Sequence, residues 1–255
     1  MSITKQRKTY RVVILTAIPV EYEAVRRHLK KVKEERHGGT VYELGSFQGQ
    51  SHRYRILLAE VGMGNVRSGL GTERAIAHFN PDIILFIGIA GGIKDVKLGD
   101  VVVGDKAYNY ESGKATRGRF LTRPELGNST EVILQRAKAE AKKLDWKRRL
   151  KGNSAEKSKV VVKPIASGEK VITSTRSATF RLIKSHYNDA IAVDMESNGF
   201  FSALHNYPQI QALIIRGISD RLNKKARADS AGYQEIAANH ASAFGLEVLY
   251  KLKLY

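Results

Sequence analysis

Three acidic side chains stand just past apolar, β-branched runs. Glu21 follows Arg11–Ala17, Glu196 follows Ala190–Val193, and Asp220 follows Ile210–Ile218. Arg216 sits inside the last of these runs. A carboxylate in such a place can be a helix N-cap, and Asp220 alone is as readily a cap as a reactive group. Three of them at three strand ends are harder to assign to capping. Carboxylates gathered from separate strands suit proton transfer and the balancing of positive charge as it develops. There is no cysteine, so disulfides, thiolate metal sites and thiol catalysis are excluded. No pair of histidines stands at ligand spacing near a carboxylate, so no metal site is expected.

The surrounding pattern must position those groups. Arg11–Ala17 reads as a buried strand, and Pro19 then opens a helix expected over Val20–Lys31. Strands are expected near Thr40–Phe47, after Gly38-Gly39, and over Tyr54–Val61. Gly62-Met63-Gly64 leads into a helix over Asn65–Phe79. Asp82–Ala90 is the most apolar strand and ends in Gly91-Gly92. Val101–Val103 begins another. A basic helix is expected over Thr130–Trp146 and a polar loop over Lys147–Lys159, followed by a strand over Val160–Ala166. Ala178–His186 reads as a helix and Ala190–Val193 as extended. Met195–His205 reads as a helix, Ile210–Ile218 as a buried strand and Ala231–Leu252 as a long helix.

Buried strands alternating with amphipathic helices indicate an α/β fold, a single domain with a twisted sheet covered by helices on both faces. The domain is expected over 11–255, behind a basic tail over 1–10. Sites in such sheets gather at the carboxyl ends of strands. That rule selects Ala17–Glu23, Gly62–Asn65, Gly88–Gly92 and Ser219–Asn223.

Within those loops the chain resembles the nucleoside phosphorylase/nucleosidase superfamily, and within it the methylthioadenosine/S-adenosylhomocysteine nucleosidases. The resemblance rests on Thr16-Ala17-Ile18-Pro19-Val20-Glu21, Val61-Gly62-Met63-Gly64-Asn65-Val66, Gly88-Ile89-Ala90-Gly91-Gly92 and Leu98-Gly99-Asp100-Val101-Val102. It continues through Ile165-Ala166-Ser167-Gly168-Glu169, Val193-Asp194-Met195-Glu196 and Arg216-Gly217-Ile218-Ser219-Asp220. These pieces occur in the family's order over most of the chain.

The resemblance implies a mixed sheet and cleavage of a purine N-glycosidic bond without a cofactor. It makes Asp220 the acid that protonates the departing base at N7, with Ser219 orienting it. Glu196 would accept hydrogen bonds from ribose hydroxyls and balance the oxocarbenium charge. Glu21 would position and deprotonate the attacking water, beside Arg216. Met195 would pack on the sugar, Ala90 and Gly91 would approach the nucleoside, and Met63 would face its 5′ group. Met195 and Met63 can equally be packing residues, and Arg216 a buried ion-pair partner. The family's members assemble as dimers or larger rings, so a homo-oligomer is expected, with a dimer favoured.

The nucleophile is read from charge. Many phosphorylases of the superfamily carry an early Gly-Asp-Pro-x-Arg loop for phosphate. The corresponding Thr16–Glu21 has no arginine before Arg26 and places a carboxylate there, which repels phosphate and suits water. A purine nucleoside phosphorylase that holds phosphate through Arg67 or another cation stays open, as does a non-catalytic nucleotide-binding protein. Val171, followed by Ile172, stands where the family has its adenine-stacking aromatic, so stacking would be weaker or come from Tyr108 or Phe180. Past Asp220 the cations Arg221, Lys224, Lys225 and Arg227 suggest a 5′ phosphate, with Arg67, Lys224 and Arg227 as contacts and AMP or ATP as substrate.

A formal net charge of +18 agrees with an anionic partner. Residues 136–159 hold ten Lys/Arg against three Asp/Glu, yet only Trp146 interleaves with them, so nucleic acid is not the expected partner. The longest apolar run, Ile83–Ile93, is shorter than the roughly 20 residues that span a bilayer. Met1–Tyr10 lacks the apolar stretch of a secretory signal, and a cytoplasmic protein is expected.

Overall fold

The computed structural model describes residues 8–150, 157–222 and 232–254. Its centre is four parallel strands, β1 (Thr9–Thr16), β4 (Arg53–Glu60), β5 (Ile83–Gly92) and β14 (Gln211–Arg221), side by side in the order β4-β1-β5-β14. Alternation along these strands feeds two cores. Val12 and Ile14 of β1, with Ile83, Leu85 and Ile87 of β5, face one side. Val13 and Leu15, with Ile84 and Phe86, face the other.

The first side is covered by α1 (Pro19–Arg26), α3 (Glu131–Ala141) and α6 (Tyr233–Lys251), the second by α2 (Asn65–Phe79) and α5 (Ser197–Leu204). A third cluster joins α4 (Ala178–His186) to Ile172, Val193 and Leu222. Each strand therefore buries both faces, as their near-continuous apolar composition requires.

The sheet is mixed. β2 (Lys30–His37) and β3 (Thr40–Gln48) extend it antiparallel beyond β4, through a turn in which Gly38 and Gly39 both have positive φ. β6 (Val101–Gly104) runs antiparallel to β14, and β11 (Val160–Val162) parallel to β6. β13 (Ala192–Asp194) pairs antiparallel with Gly91 and Gly92 at the end of β5. Outside it lie β12 (Ile165–Ser167), β7 (Lys106–Asn109) and β10 (Glu125–Asn128), while β8 (Gly113–Thr116) and β9 (Arg119–Thr122) form a separate hairpin.

Several expectations need correction. The helix from Val20 stops at Arg26, and Lys30–His37 is a strand held by pairing to β3. The helix from Thr130 ends at Ala141, and a 3₁₀ turn over Asp145–Arg149 tucks Trp146 against His240 and Phe244. Val160–Ala166 is two strands, because Pro164 cannot donate to a ladder and the chain changes neighbours there. β1 begins at Thr9, inside the expected tail, of which residues 1–7 lie outside the described residues. Among the described residues no helix is long and apolar enough to cross a membrane.

Candidate active site

The carboxyl ends of β1, β5, β12, β13 and β14 open onto one cleft of about 150 Å³. Glu21, Glu196 and Asp220 all line it, from α1, from the turn after β13 and from β14. Ala90, Gly91, Met195, Ser219, Met63, Val171 and Ile172 line it too.

Glu21 is placed by its helix. Pro19 opens α1, and Glu21 two residues later turns back over the helix start. Its Oε2 accepts the Ala17 N–H at 2.6 Å and the Ile18 N–H at 3.2 Å. Burial pushes its carboxyl up from the ordinary value, against the pull of Arg216 and these backbone donors.

Glu196 sits where β13 passes into α5. Its Oε1 accepts the Gly64 N–H at 3.2 Å, at the positive end of α2. Ser68 Oγ donates to its backbone carbonyl at 2.9 Å. Burial raises its carboxyl to about 7 although Arg216 opposes this, and the charges of Asp194 and Glu21 add to the rise.

Asp220 owes its direction to a bulge. Ile218 pairs with Ala90 and Asp220 with Gly91, so Ser219 is an extra residue in β14. Regular alternation would send Ser219 and Asp220 to opposite faces; the bulge lets both reach the cleft. Ser219 Oγ donates to Asp220 Oδ2 at 3.3 Å. A Cβ at Gly91 would lie 3.3 Å from Asp220 Oδ1 and 2.9 Å from Leu222, so the glycine keeps this corner open.

Arg216 is not in the cleft wall. It is 0% exposed and stands behind the acids, its guanidinium 4.5 Å from the Phe86 ring centroid. Its Nε lies 2.8 Å from Asp194 Oδ2, and its terminal nitrogen lies 3.5 Å from Glu196 Oε2. In the structure it is the ion-pair partner of these two carboxylates.

Other expectations fare differently. Arg67 is exposed in the first turn of α2, its side chain against Gly62 and away from the cleft wall, because the helix carries it outward. Lys224 and Arg227 lie outside the described residues. Phe180 is buried in the cluster under α4, and Tyr108 points its hydroxyl to Asp189; neither lines the cleft. Among the described residues no aromatic ring lines it.

Sequence reasoning placed Ala17, Ile18, Ile89, Val193 and Leu222 in its selected loops and motifs without giving them a role, and it missed Lys170 and Gln234 as lining residues and Asp194 as the anchor of Arg216. Asp194 was legible only as part of the Val193–Glu196 motif. Away from the cleft, Glu140, Asp145 and Glu247 bring carboxylate oxygens within 4.8 Å of one another. Arg136, Lys143, Arg149 and Lys251 already pair with that group.

Comparison with known proteins identifies the family and the fold. A 5′-methylthioadenosine/S-adenosylhomocysteine nucleosidase of Hydrogenovibrio crunogenus is 26% identical over 248 residues, 95% of this chain and 99% of the relative. That of Listeria welshimeri is 28% identical over 242 residues, 92% of this chain and 97% of the relative. The crystal structure of the Neisseria meningitidis nucleosidase with methylthio-immucillin-A superposes with a TM-score of 0.79 at 25% identity, covering 95% of this chain and all of that one. Residues 11–249 match the phosphorylase superfamily as a whole, and the chain belongs to that superfamily.

Proposed function

We propose that this protein is an adenine nucleoside N-ribosidase that uses water to break the N-glycosidic bond. The observation that carries the reading is the charge of the cleft. Glu21, Asp194, Glu196 and Asp220 line it, against Lys170 as the one cation among its described lining residues. Such a wall offers inorganic phosphate one cation, itself paired with Glu111, and its ionised carboxylates favour a cationic sugar. Asp220, oriented by Ser219, gives its proton to the departing base. Glu196 accepts the ribose hydroxyls and balances the oxocarbenium charge. Glu21 takes a proton from water; burial makes it a stronger base than an exposed carboxylate. Met63, Met195, Val171 and Ile172 give apolar contact to the substrate.

The test is incubation with methylthioadenosine or adenosine in phosphate-free buffer, with chromatography of base and sugar. Free adenine and free sugar are expected. A strict phosphate requirement with a sugar 1-phosphate product would make the protein a phosphorylase. No base release from any purine nucleoside would remove the enzymatic reading.

A second reading, a nucleotide substrate, draws on Lys170, which lines the cleft. Its ammonium lies 2.9 Å from Glu111, so a phosphate must compete for it. AMP and ATP in the same assay distinguish the two.

Self-association into a dimer fits the exposed apolar side chains Met63, Val66 and Leu70, the last two one helical turn apart on α2. Sedimentation velocity reads it directly. A cytoplasmic setting goes with the cysteine-free chain.

A further inference from the structure

We infer that Asp194 is a positioning residue of the reaction: it claims the Nε edge of Arg216, so that the guanidinium faces Glu196 without capturing it. The inference rests on the functional reading above only for its kinetic arm.

Asp194 is built in for this task. Its Oδ1 accepts the backbone N–H groups of Ser197 at 3.2 Å and Glu196 at 3.4 Å, at the start of α5. The Ser197 hydroxyl donates to its Oδ2, the same oxygen that meets Arg216 Nε at 2.8 Å. The Asp194 and Arg216 side chains are 1% and 0% exposed. The guanidinium is pinned on its other side by the Phe86 ring and reaches the Ser197 hydroxyl at 3.5 Å.

The groups facing this cation are therefore Asp194 from β13, Glu196 from the turn that follows, and Glu21 from α1. Three carboxylates share one guanidinium, and the shortest contact goes to the one that has no part in the proposed chemistry. Glu196 is left at 3.5 Å, and its oxygens are not committed to a close fork with the cation. Asp194 also adds a negative neighbour that opposes ionisation of Glu196. A tight Arg216–Glu196 fork would spend the carboxylate that the sugar needs and make it a weaker acceptor.

Asp194→Asn keeps the shape and an oxygen acceptor while removing the charge. A ¹³C-carboxyl titration, with Glu196→Gln identifying the signal, follows Glu196 without any substrate. The wild-type midpoint is expected near 7 and that of Asp194→Asn below it. In kinetics, kcat/KM of Asp194→Asn is expected to fall ~10- to 100-fold, the scale of a misplaced reactive group, with its acid limb displaced to lower pH. Ser197→Ala, which removes only the hydroxyl on Asp194, should give the same shift in smaller measure, and it serves if the Asn variant does not fold. An unmoved Glu196 titration in whichever variant folds, with only thermal stability reduced, overturns the inference and leaves Asp194 as a structural ion pair. A shifted titration in a protein that cleaves no nucleoside supports the inference and removes the functional reading instead.

Discussion

The Glu21 carboxylate bridges two strand ends: its Oε1 accepts the Ile89 backbone N–H at 2.8 Å, while its Oε2 holds the start of its own helix. A single side chain thus locks α1 to the end of β5 and presents its remaining lone pairs to the cleft. In Glu21→Gln the amide NH₂ must face a backbone donor on one edge or the other. Leaving such a buried donor unsatisfied costs about 1–3 kcal/mol. The base is lost as well, so kcat is expected to fall ~10²- to 10⁴-fold. Steady-state kinetics and a thermal melt read the two effects separately. A variant with full activity would show that Glu21 is a cap and nothing more.

Gly88 is the space that lets Arg216 and Glu21 coexist. A Cβ there would stand 2.3 Å from Arg216 Nη1 and 2.6 Å from Glu21 Oε1. Glu21 Oε1 is held by the Ile89 N–H and the guanidinium by Asp194 and Glu196 through its other nitrogens, so neither yields cheaply. Gly88→Ala is expected to lower kcat by ~10²-fold, the cost of moving a reactive group by about an ångström, and to lower the melting temperature. A kinetically silent Gly88→Ala would mean that Arg216 and Glu21 shift without consequence.

The raised Glu196 carboxyl makes activity and stability move in opposite directions with pH. The proposed chemistry needs the ionised form, so kcat/KM should rise through about pH 7. For stability, the folded protein holds this proton up to about 7, whereas the unfolded chain releases it near 4.5. Between those values the folded state binds more protons, and stability falls as pH rises. The contribution is fully present below 4.5 and gone above 7. Glu196→Gln carries no titrating group there, so its melting temperature should decline less across that window. Parallel declines would assign the effect to another group.

The sequence carried the central strands, because their cores are continuous runs of β-branched and large apolar residues. Helices α2 and α4 also fell where the periodicity placed them, since each is amphipathic and bounded by loop residues. Lys30–His37 was illegible: seven of its eight residues are polar or charged, and only long-range pairing with β3 makes it a strand. The stretch between Lys106 and Asn128 was not read as structure at all. Its four strands have four residues each, too short for a period to emerge. At the site, the acids were visible as motifs. What hid was their coupling. Asp194 and Arg216 are 22 residues apart in sequence and meet only because β13 and β14 both pair with β5. The bulge at Ser219 is likewise a property of the ladder, and no residue type announces it.

Val171 is 54% exposed at the cleft and offers no ring for a base to stack on. Val171→Phe should supply one. An aromatic contact adds about 0.5–1.5 kcal/mol beyond area burial, so KM for methylthioadenosine is expected to fall by up to ~10-fold with kcat little changed. A rise in KM would place the base elsewhere in the cleft.

Asp220 is the last link, and the leaving group can be used to isolate it. Adenine is a poor leaving group as an anion and needs a proton as it departs; p-nitrophenolate does not. Asp220→Asn retains the shape of the side chain and can still be oriented by Ser219. It should lower kcat on adenine nucleosides ~10²- to 10⁴-fold. Cleavage of p-nitrophenyl β-D-ribofuranoside should change by less than about tenfold, because the remaining groups, Glu196 and Glu21, act on sugar and water. Equal losses on both substrates would show that Asp220 shapes the cleft without delivering a proton, and the acid would have to be sought among its other lining residues.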